Sequence, residues 1–391
     1  DIQRNPAYSG GENILINLLR RWQDLLNIGI FTWNGGEYFL ESHFGIDKIK
    51  YHNVIELKRK WKYPVLFVVR AVKATNWALR NKNNKADFIF SPSDFIPDSI
   101  PAFILKLKNP EMIWIASCYL IFPNPFSTIN PYKGKRWVIG LLQYFAQLPV
   151  KYIIKWFADI VFVTSEPDKH FFVTKKRKLN TVIVVRGGVN LRDSQKINQQ
   201  QKKYDCVFMG RFHVQKGVIE LIKIWKLVVE KLPYSKLVIL GQGDVALTER
   251  DIKNEIFSLI KRYHLYNNVE FLGFLDGDEK IKVFNSSRVV LHPAIFDSGG
   301  MAAAEAMACG LPGVSFDLEA LKTYYPKGML KTKCFDLQEF ANNIIELLTN
   351  KELYNTLSKE AVVLIREEWD WNVRATKIYD AILSSIKEKF E

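Results

Sequence analysis

"YDCVFMGRFHVQKGVIELIKIWKLVVEKLP" runs from Tyr204 to Pro233. Residues 204–210 form a short apolar run ending in glycine, the pattern of a buried strand that breaks into a turn. Residues 218–233 repeat apolar side chains at helical spacing and stop at Pro233. The same unit recurs downstream. "SKLVILGQGD" reads as a strand, "DIKNEIFSLIKRYHL" as a helix, "NNVEFLGF" as a strand, "DEKIKVFNSS" as a helix and "RVVLHPA" as a strand. "FDSGGMAAAEAMACGLP" (296–312) and "LPGVSFD" follow. Strands alternating with helices at this spacing predict right-handed βαβ units and a mostly parallel sheet, an α/β fold.

The first half alternates too. "ENILINLLRRWQDLL" is amphipathic, "SIPAFILKLK" reads as a helix, and "NIGIFTW", "ADFIFS", "EMIWIAS" and "ADIVFVTS" read as strands. A polar, Gln-rich stretch with no apolar periodicity separates the halves and reads as a linker. The expected organisation is therefore a first domain over 1–190, a linker over 191–203, a second domain over 204–372 and a tail helix over 373–391. The sequence starts without Met and enters a helix with no strand ahead of it. A doubly wound first domain would then lack its first strand, about ten residues on ordinary strand length.

With 391 residues, 48% hydrophobic and 25% charged, the chain has the composition of a two-domain globular protein. No apolar run approaches the ~20 residues that span a bilayer, and no signal-peptide pattern opens the chain. The four cysteines are scattered without metal-type spacing and read as buried thiols of a cytoplasmic protein. Charge is uneven: residues 1–190 carry 27 Lys/Arg against 14 Asp/Glu, whereas 191–391 carry 28 against 27. That asymmetry fits an anionic partner for the first half.

Three elements of the second half end where open α/β sheets bind ligands, at the carboxyl ends of the strands. "GRFHVQKG" follows a strand from Gly210 and supplies Arg211 and Lys216, a forked and a point cation suited to a diphosphate. In "FDSGGMAAAEAMACGLP", the backbone of Ser298, Gly299, Gly300 and Met301 can approach a ligand closely, and the helix behind them aims its positive end at the same spot. Asp297 precedes that helix and Glu305 lies one turn inside it. Carboxylates accept hydrogen bonds from hydroxyls, so sugar and ribose hydroxyls flanking a diphosphate account for both acids. Gly273 and Phe274 form a turn where a base can rest. "DGD" at 276–278 precedes a helix and reads as capping, not as a metal site.

These motifs, in this order, resemble the retaining nucleotide-sugar glycosyltransferases known as glycosyl transferases group 1, the glycogen-synthase and mannosyltransferase-like enzymes. The resemblance covers residues 204–320 well, and extends more loosely to "YSGGENILINLL", "ADIVFVTSEPDKHFF" and "EEWDWNVRATKIYDAIL". It implies the GT-B fold, with two Rossmann-like, doubly wound parallel-sheet domains facing across a cleft. It implies a metal-independent hexosyltransferase that uses a UDP or GDP sugar and no cofactor. Arg211 and Lys216 would hold the donor diphosphate, Glu305 the ribose and Asp297 the transferred sugar. Gly10 and Gly11 would close over the phosphates, and the tail helix would cross back onto the first domain. Asp297 and the two cations are thus the expected catalytic residues. The chain departs from the family pattern twice. Asp297 stands where Glu is usual, and "WIASCYLIFPNP" offers Ser117, Cys118 and Tyr119 where relatives often place a His. A phosphorylase-like or catalytically impaired relative that binds a sugar nucleotide therefore stays open.

"ELKRKWKYPVLFVVRAVKATNWALRNKNNK" (56–85) and "YKGKRWVIGLLQYFAQLPVKYIIKWF" (132–157) mix cations with aromatic and aliphatic residues. That composition suits an anionic membrane surface, with the protein peripheral at its cytoplasmic face, a groove for a phosphate-linked lipid, or ordinary amphipathic helices that cover a sheet. The expected acceptor is a glycan or a lipid-linked glycan. A basic nucleic-acid-binding protein is the remaining reading. It predicts steep salt dependence and indifference to Arg211, and no nucleic-acid motif supports it.

Overall fold

The computed structural model describes residues 10–33, 36–55, 63–81, 86–127, 130–175, 177–191, 201–241, 247–297 and 300–390. The chain divides into two compact units, one of residues 1–124, 140–187 and 372–391 and the other of residues 125–139 and 188–371. Residues 125–139, read above as part of the first domain, thus group with the second unit.

The first unit contains α1 (Gly10–Trp22), β1 (Gly29–Trp33), α2 (Gly36–Phe44), β2 (Lys50–Ile55), α3 (Tyr63–Arg80), β3 (Phe88–Ser91), α4 (Ile96–Lys108) and β4 (Ile113–Ser117). Most of α5 (Trp137–Phe157) follows, with β5 (Ile160–Val163), α6 (Glu166–Phe172) and β6 (Val182–Val184). β1 and β2 form a parallel pair, and β3-β4-β5-β6 a parallel sheet in sequence order. Every residue of β4 and β5 is buried, as expected of strands covered on both faces. Trp114, Ile154, Val161 and Phe172 belong to the core around them.

The second unit contains β7 (Tyr204–Met209), α7 (Val218–Lys231), β8 (Leu237–Leu240), α8 (Leu247–Arg262), β9 (Val269–Gly273), α9 (Gly277–Asn285) and β10 (Ser287–His292). It continues with α10 (Met301–Ala308), β11 (Gly313–Phe316), α11 (Glu319–Lys322), β12 (Met329–Thr332), α12 (Leu337–Thr349) and α13 (Lys351–Glu368). Its six strands lie in the order β12-β11-β10-β7-β8-β9, all parallel. Counted from β9, this is the third, second, first, fourth, fifth and sixth strand, the doubly wound order. Right-handed crossovers send the chain outward in opposite directions from β7 and β10, so the crevice opens between those two strands.

Two apolar clusters flank this sheet. One gathers Phe208, Leu221, Trp225 and Phe340, the other Ala303, Ala306, Met307 and Trp369. The alanines of α10 let that short helix pack closely on the strands. The last helix, α14 (Trp371–Phe390), places residues from Asn372 onward in the first unit. There Ala375 O accepts a hydrogen bond from Trp22 Nε1 at 3.3 Å, and Asn372 Oδ1 accepts one from Arg21 Nε at 3.0 Å. Cys118, Cys206 and Cys309 are buried and Cys334 is half-buried, all as free thiols.

Candidate functional site

The strand ends build the site from backbone outward. Gly210 N donates to Leu240 O at 2.9 Å, and Gly241 N donates to Gly273 O at 2.8 Å, so the turns after β7, β8 and β9 lie side by side. A Cβ on Gly241 would stand 2.0 Å from Gly210 O, which is why this turn takes no side chain.

After β7 the chain makes a single tight turn over Val214–Lys216, and Gly217 then starts α7 with φ +64°. Gln215 O accepts hydrogen bonds from Ile295 N at 2.9 Å and Phe296 N at 3.3 Å. This stitches the loop after β7 to the loop after β10. Gly217 is held so close to Pro293 that a Cβ there would lie 1.8 Å from the carbonyl oxygen.

The stitched loops bring Lys216 and Asp297 together, with Nζ 2.7 Å from Oδ2. His292 Nε2, at the end of β10, lies 3.3 Å from the same oxygen, an ion-pair distance. Burial alone would raise the Asp297 carboxyl, but Lys216 and His292 outweigh it and hold the group well below the usual carboxylate range. Asp297 is thus an anion at neutral pH, fixed beside a cation that remains 28% exposed.

Four residues on, α10 begins at Met301 behind Gly300, whose φ is +50° and which offers no capping side chain. The Tyr325 hydroxyl donates to Gly300 O from beneath, and its ring stacks on Trp369 at 5.2 Å. The helix end therefore presents backbone N–H groups and its positive pole at the switch point. Ser298 and Gly299 lie outside the described residues.

Glu305 faces a different partner. Its carboxylate takes Lys280 Nζ at 3.1 Å, and Lys280 also reaches Asp276 Oδ1 at 3.3 Å. Burial would lower the Lys280 pKa, but Glu305 and Asp276 more than reverse that, so it is raised. Asp276 caps α9, accepting from Gly277 N at 2.8 Å, so its carboxylate is engaged within its own turn. Arg211 is brought to no acid of the motif. Its side chain is 71% exposed and stands 4.0 Å from Glu249. Gly273 has φ +72° with open space around it, and Phe274 beside it is exposed. Gly10 and Gly11 open α1 in the first unit.

Several site residues escape sequence reasoning. Gln215 Nε2 donates to the Tyr132 hydroxyl at 3.3 Å, and Arg136 pairs with Glu255 at 2.9 Å. Both Tyr132 and Arg136 come from residues 125–139, far upstream in sequence. His213 caps Gln215 N through Nδ1 at 3.4 Å, and burial with Arg211, Lys216 and Arg136 nearby pushes its pKa down to about 4. Lys280 had a signal, the four-residue spacing from Asp276. His292 had one too, as a polar residue closing an apolar strand.

Residues 190–362 match the family described as Glycosyl transferases group 1. They belong to it. The glycosyltransferase domain thus spans the whole six-stranded sheet and both stitched loops. An uncharacterized glycosyltransferase of Methanocaldococcus jannaschii is 28% identical over 291 residues, 70% of this chain and 65% of that protein. The poly(glycerol-phosphate) alpha-glucosyltransferase of Bacillus subtilis is 26% identical over 348 residues, 85% of this chain and 45% of that protein. HepE of Anabaena, solved in complex with UDP and glucose, superposes with a TM-score of 0.71 at 18% identity, covering 96% of both chains. The fold is GT-B, two α/β units each built on parallel strands.

Proposed function

We propose that the chain transfers a hexosyl group from a nucleoside diphosphate sugar to a glycan or lipid-linked acceptor, with retention and without a metal ion. The observation that carries this reading is the convergence of Lys216 and the α10 N-terminus beside Asp297 at the switch point. A diphosphate there meets a partly exposed ammonium and the positive end of α10, both oriented before it arrives. Arg211, exposed on the same loop, would exchange Glu249 for the second phosphate. These groups stabilise the charge that grows on the leaving diphosphate.

In the reaction, the sugar C1–O bond to the diphosphate breaks. The acceptor hydroxyl bonds to C1 on the same face, and its proton passes to the departing phosphate oxygen. Asp297 accepts hydrogen bonds from the sugar hydroxyls, and Glu305, oriented by Lys280, accepts them from the ribose. The UDP and glucose in HepE support a UDP-hexose donor, and the Bacillus relative's name supports a phosphate-bearing acceptor.

A thermal-shift series with UDP, GDP, ADP and their hexose conjugates in EDTA tests the reading. One nucleoside diphosphate should raise Tm, because a ligand bound only to the folded state stabilises it. The shift should vanish in Arg211→Ala. No shift from any of them, or a shift that requires a divalent cation, would overturn the proposal. Binding without sugar transfer or hydrolysis would identify an impaired, sugar-nucleotide-binding relative, the outcome that Asp297 in place of Glu favours.

A further inference from the structure

We infer that the outer face of α5 docks this protein on an anionic lipid surface. Leu142, Phe145, Pro149, Tyr152 and Trp156 follow one another at steps of three and four residues. At 100° per residue they fall in a stripe about 80° wide. All five are exposed, with Leu142 at 65% and Trp156 at 62%, and Ala146 is exposed beside them. The opposite face of the helix is accounted for, since Gln147, Val150, Lys151 and Ile154 are buried. An ordinary surface helix shows water its polar side; α5 shows water its apolar side. A contiguous exposed apolar stripe marks an interaction surface.

Charge selects the occupant. No Asp or Glu occurs between Glu111 and Asp159, whereas Lys133, Lys135 and Lys155 occur there outside the buried face. Lys135 precedes the stripe, exposed, and Lys155 closes it, its ammonium 5.9 Å from the Trp156 ring centre. α3 in the same unit repeats the pattern. Val65, Val68, Val72 and Leu79 are exposed there, within a stretch from residue 57 to 86 that holds nine Lys or Arg and no acid. A second copy of this chain would bring cations against cations along the helix, with no acid on α5 to pair them. A bilayer of anionic lipid accepts the apolar stripe at headgroup depth and the flanking cations at its phosphates, with Trp and Tyr at the interface. Among the described residues no helix is long and apolar enough to cross a membrane, so the contact lies in the plane of one leaflet.

Flotation of the full chain with vesicles of phosphatidylcholine alone, or mixed with phosphatidylglycerol, tests this directly. The chain should float with the mixed vesicles at low salt and stay behind with the neutral ones. Leu142→Glu with Phe145→Glu should lower the partition coefficient by about tenfold or more per side chain, with Tm unchanged. Lys216→Ala should float like the parent, which separates this surface from the donor site. Failure to float at low salt, or equal flotation of the double variant, overturns the inference. So does sedimentation of the parent as a dimer that the double variant converts to monomer, since a second copy then covers the stripe.

Discussion

Lys216 Nζ and Asp297 Oδ2 stand 2.7 Å apart although 81 residues separate them in the chain. The pair joins the two loops on either side of the switch point and fixes the cation proposed to meet the donor diphosphate. Lys216→Ala removes that cation and leaves a buried carboxylate without its nearest partner. Stability should fall by about 1–3 kcal/mol, read as a lower Tm, and the Tm shift given by the donor nucleotide should disappear. A variant that keeps a full nucleotide shift would remove Lys216 from the donor site.

The same pair sets an acid limit. The Asp297 carboxyl is depressed in the folded chain, so its contribution is complete above the unfolded value near pH 4. It is lost as pH falls through the folded value. Asp297→Asn should therefore be less stable than the parent at pH 7, and the gap should close as pH drops below 4. Urea midpoints at pH 7, 4 and 3 measure this; a gap that stays constant down to pH 3 contradicts it.

His213 works in a higher window. Its pKa is lowered from 6.5 to about 4 by burial and by Arg211, Lys216 and Arg136. The unfolded chain takes up this proton below about pH 6.5, but the folded chain resists until about pH 4, so stability declines between those values as pH falls. The full effect is up to about 3 kcal/mol. His213→Asn keeps a capping side chain and should flatten the decline from pH 6.5 to 4.5 in a melting series. An unaltered slope would place the pH dependence elsewhere.

Gly217 tolerates no side chain, because its φ is +64° and a Cβ would meet Pro293 O at 1.8 Å. Gly217→Ala must open the backbone pairing of Gln215 with Ile295 and so separate Lys216 from Asp297. The expected cost is about 3 kcal/mol or more, with nucleotide binding lost as well. Gly277→Ala is the control, since that glycine also has positive φ but open space around it. Its cost should be smaller and confined to stability.

The glycine turns, the helix periods and the apolar strands of residues 204–316 are legible because each is a local signal. The family resemblance of that stretch adds what local signals lack, the pairing of distant motifs. Other features are invisible for a physical reason. Nothing in "IASCYLIFPNPF" or the residues after it says that Tyr132 and Arg136 side with the later half of the chain. Their partners, Gln215 and Glu255, lie roughly a hundred residues downstream. The acids 297 and 305 are readable as a couple, but not that one pairs with Lys216 and the other with Lys280. The outward stripe of α5 was readable only as composition; which side of an amphipathic helix meets water is a tertiary fact.

The return of α14 bears on how the chain is made. Trp22 and Arg21 hold to Ala375 and Asn372, and Ser385 Oγ to Asn180 O at 3.3 Å. A ribosome delivers the α1 end of these contacts more than three hundred residues before the α14 end. The second unit has all of its residues first, and its sheet can close while the earlier-made unit still waits for its last helix. Nascent chains should therefore gain protease resistance in the glycosyltransferase domain before the amino-terminal unit, reversing the usual order of domain maturation.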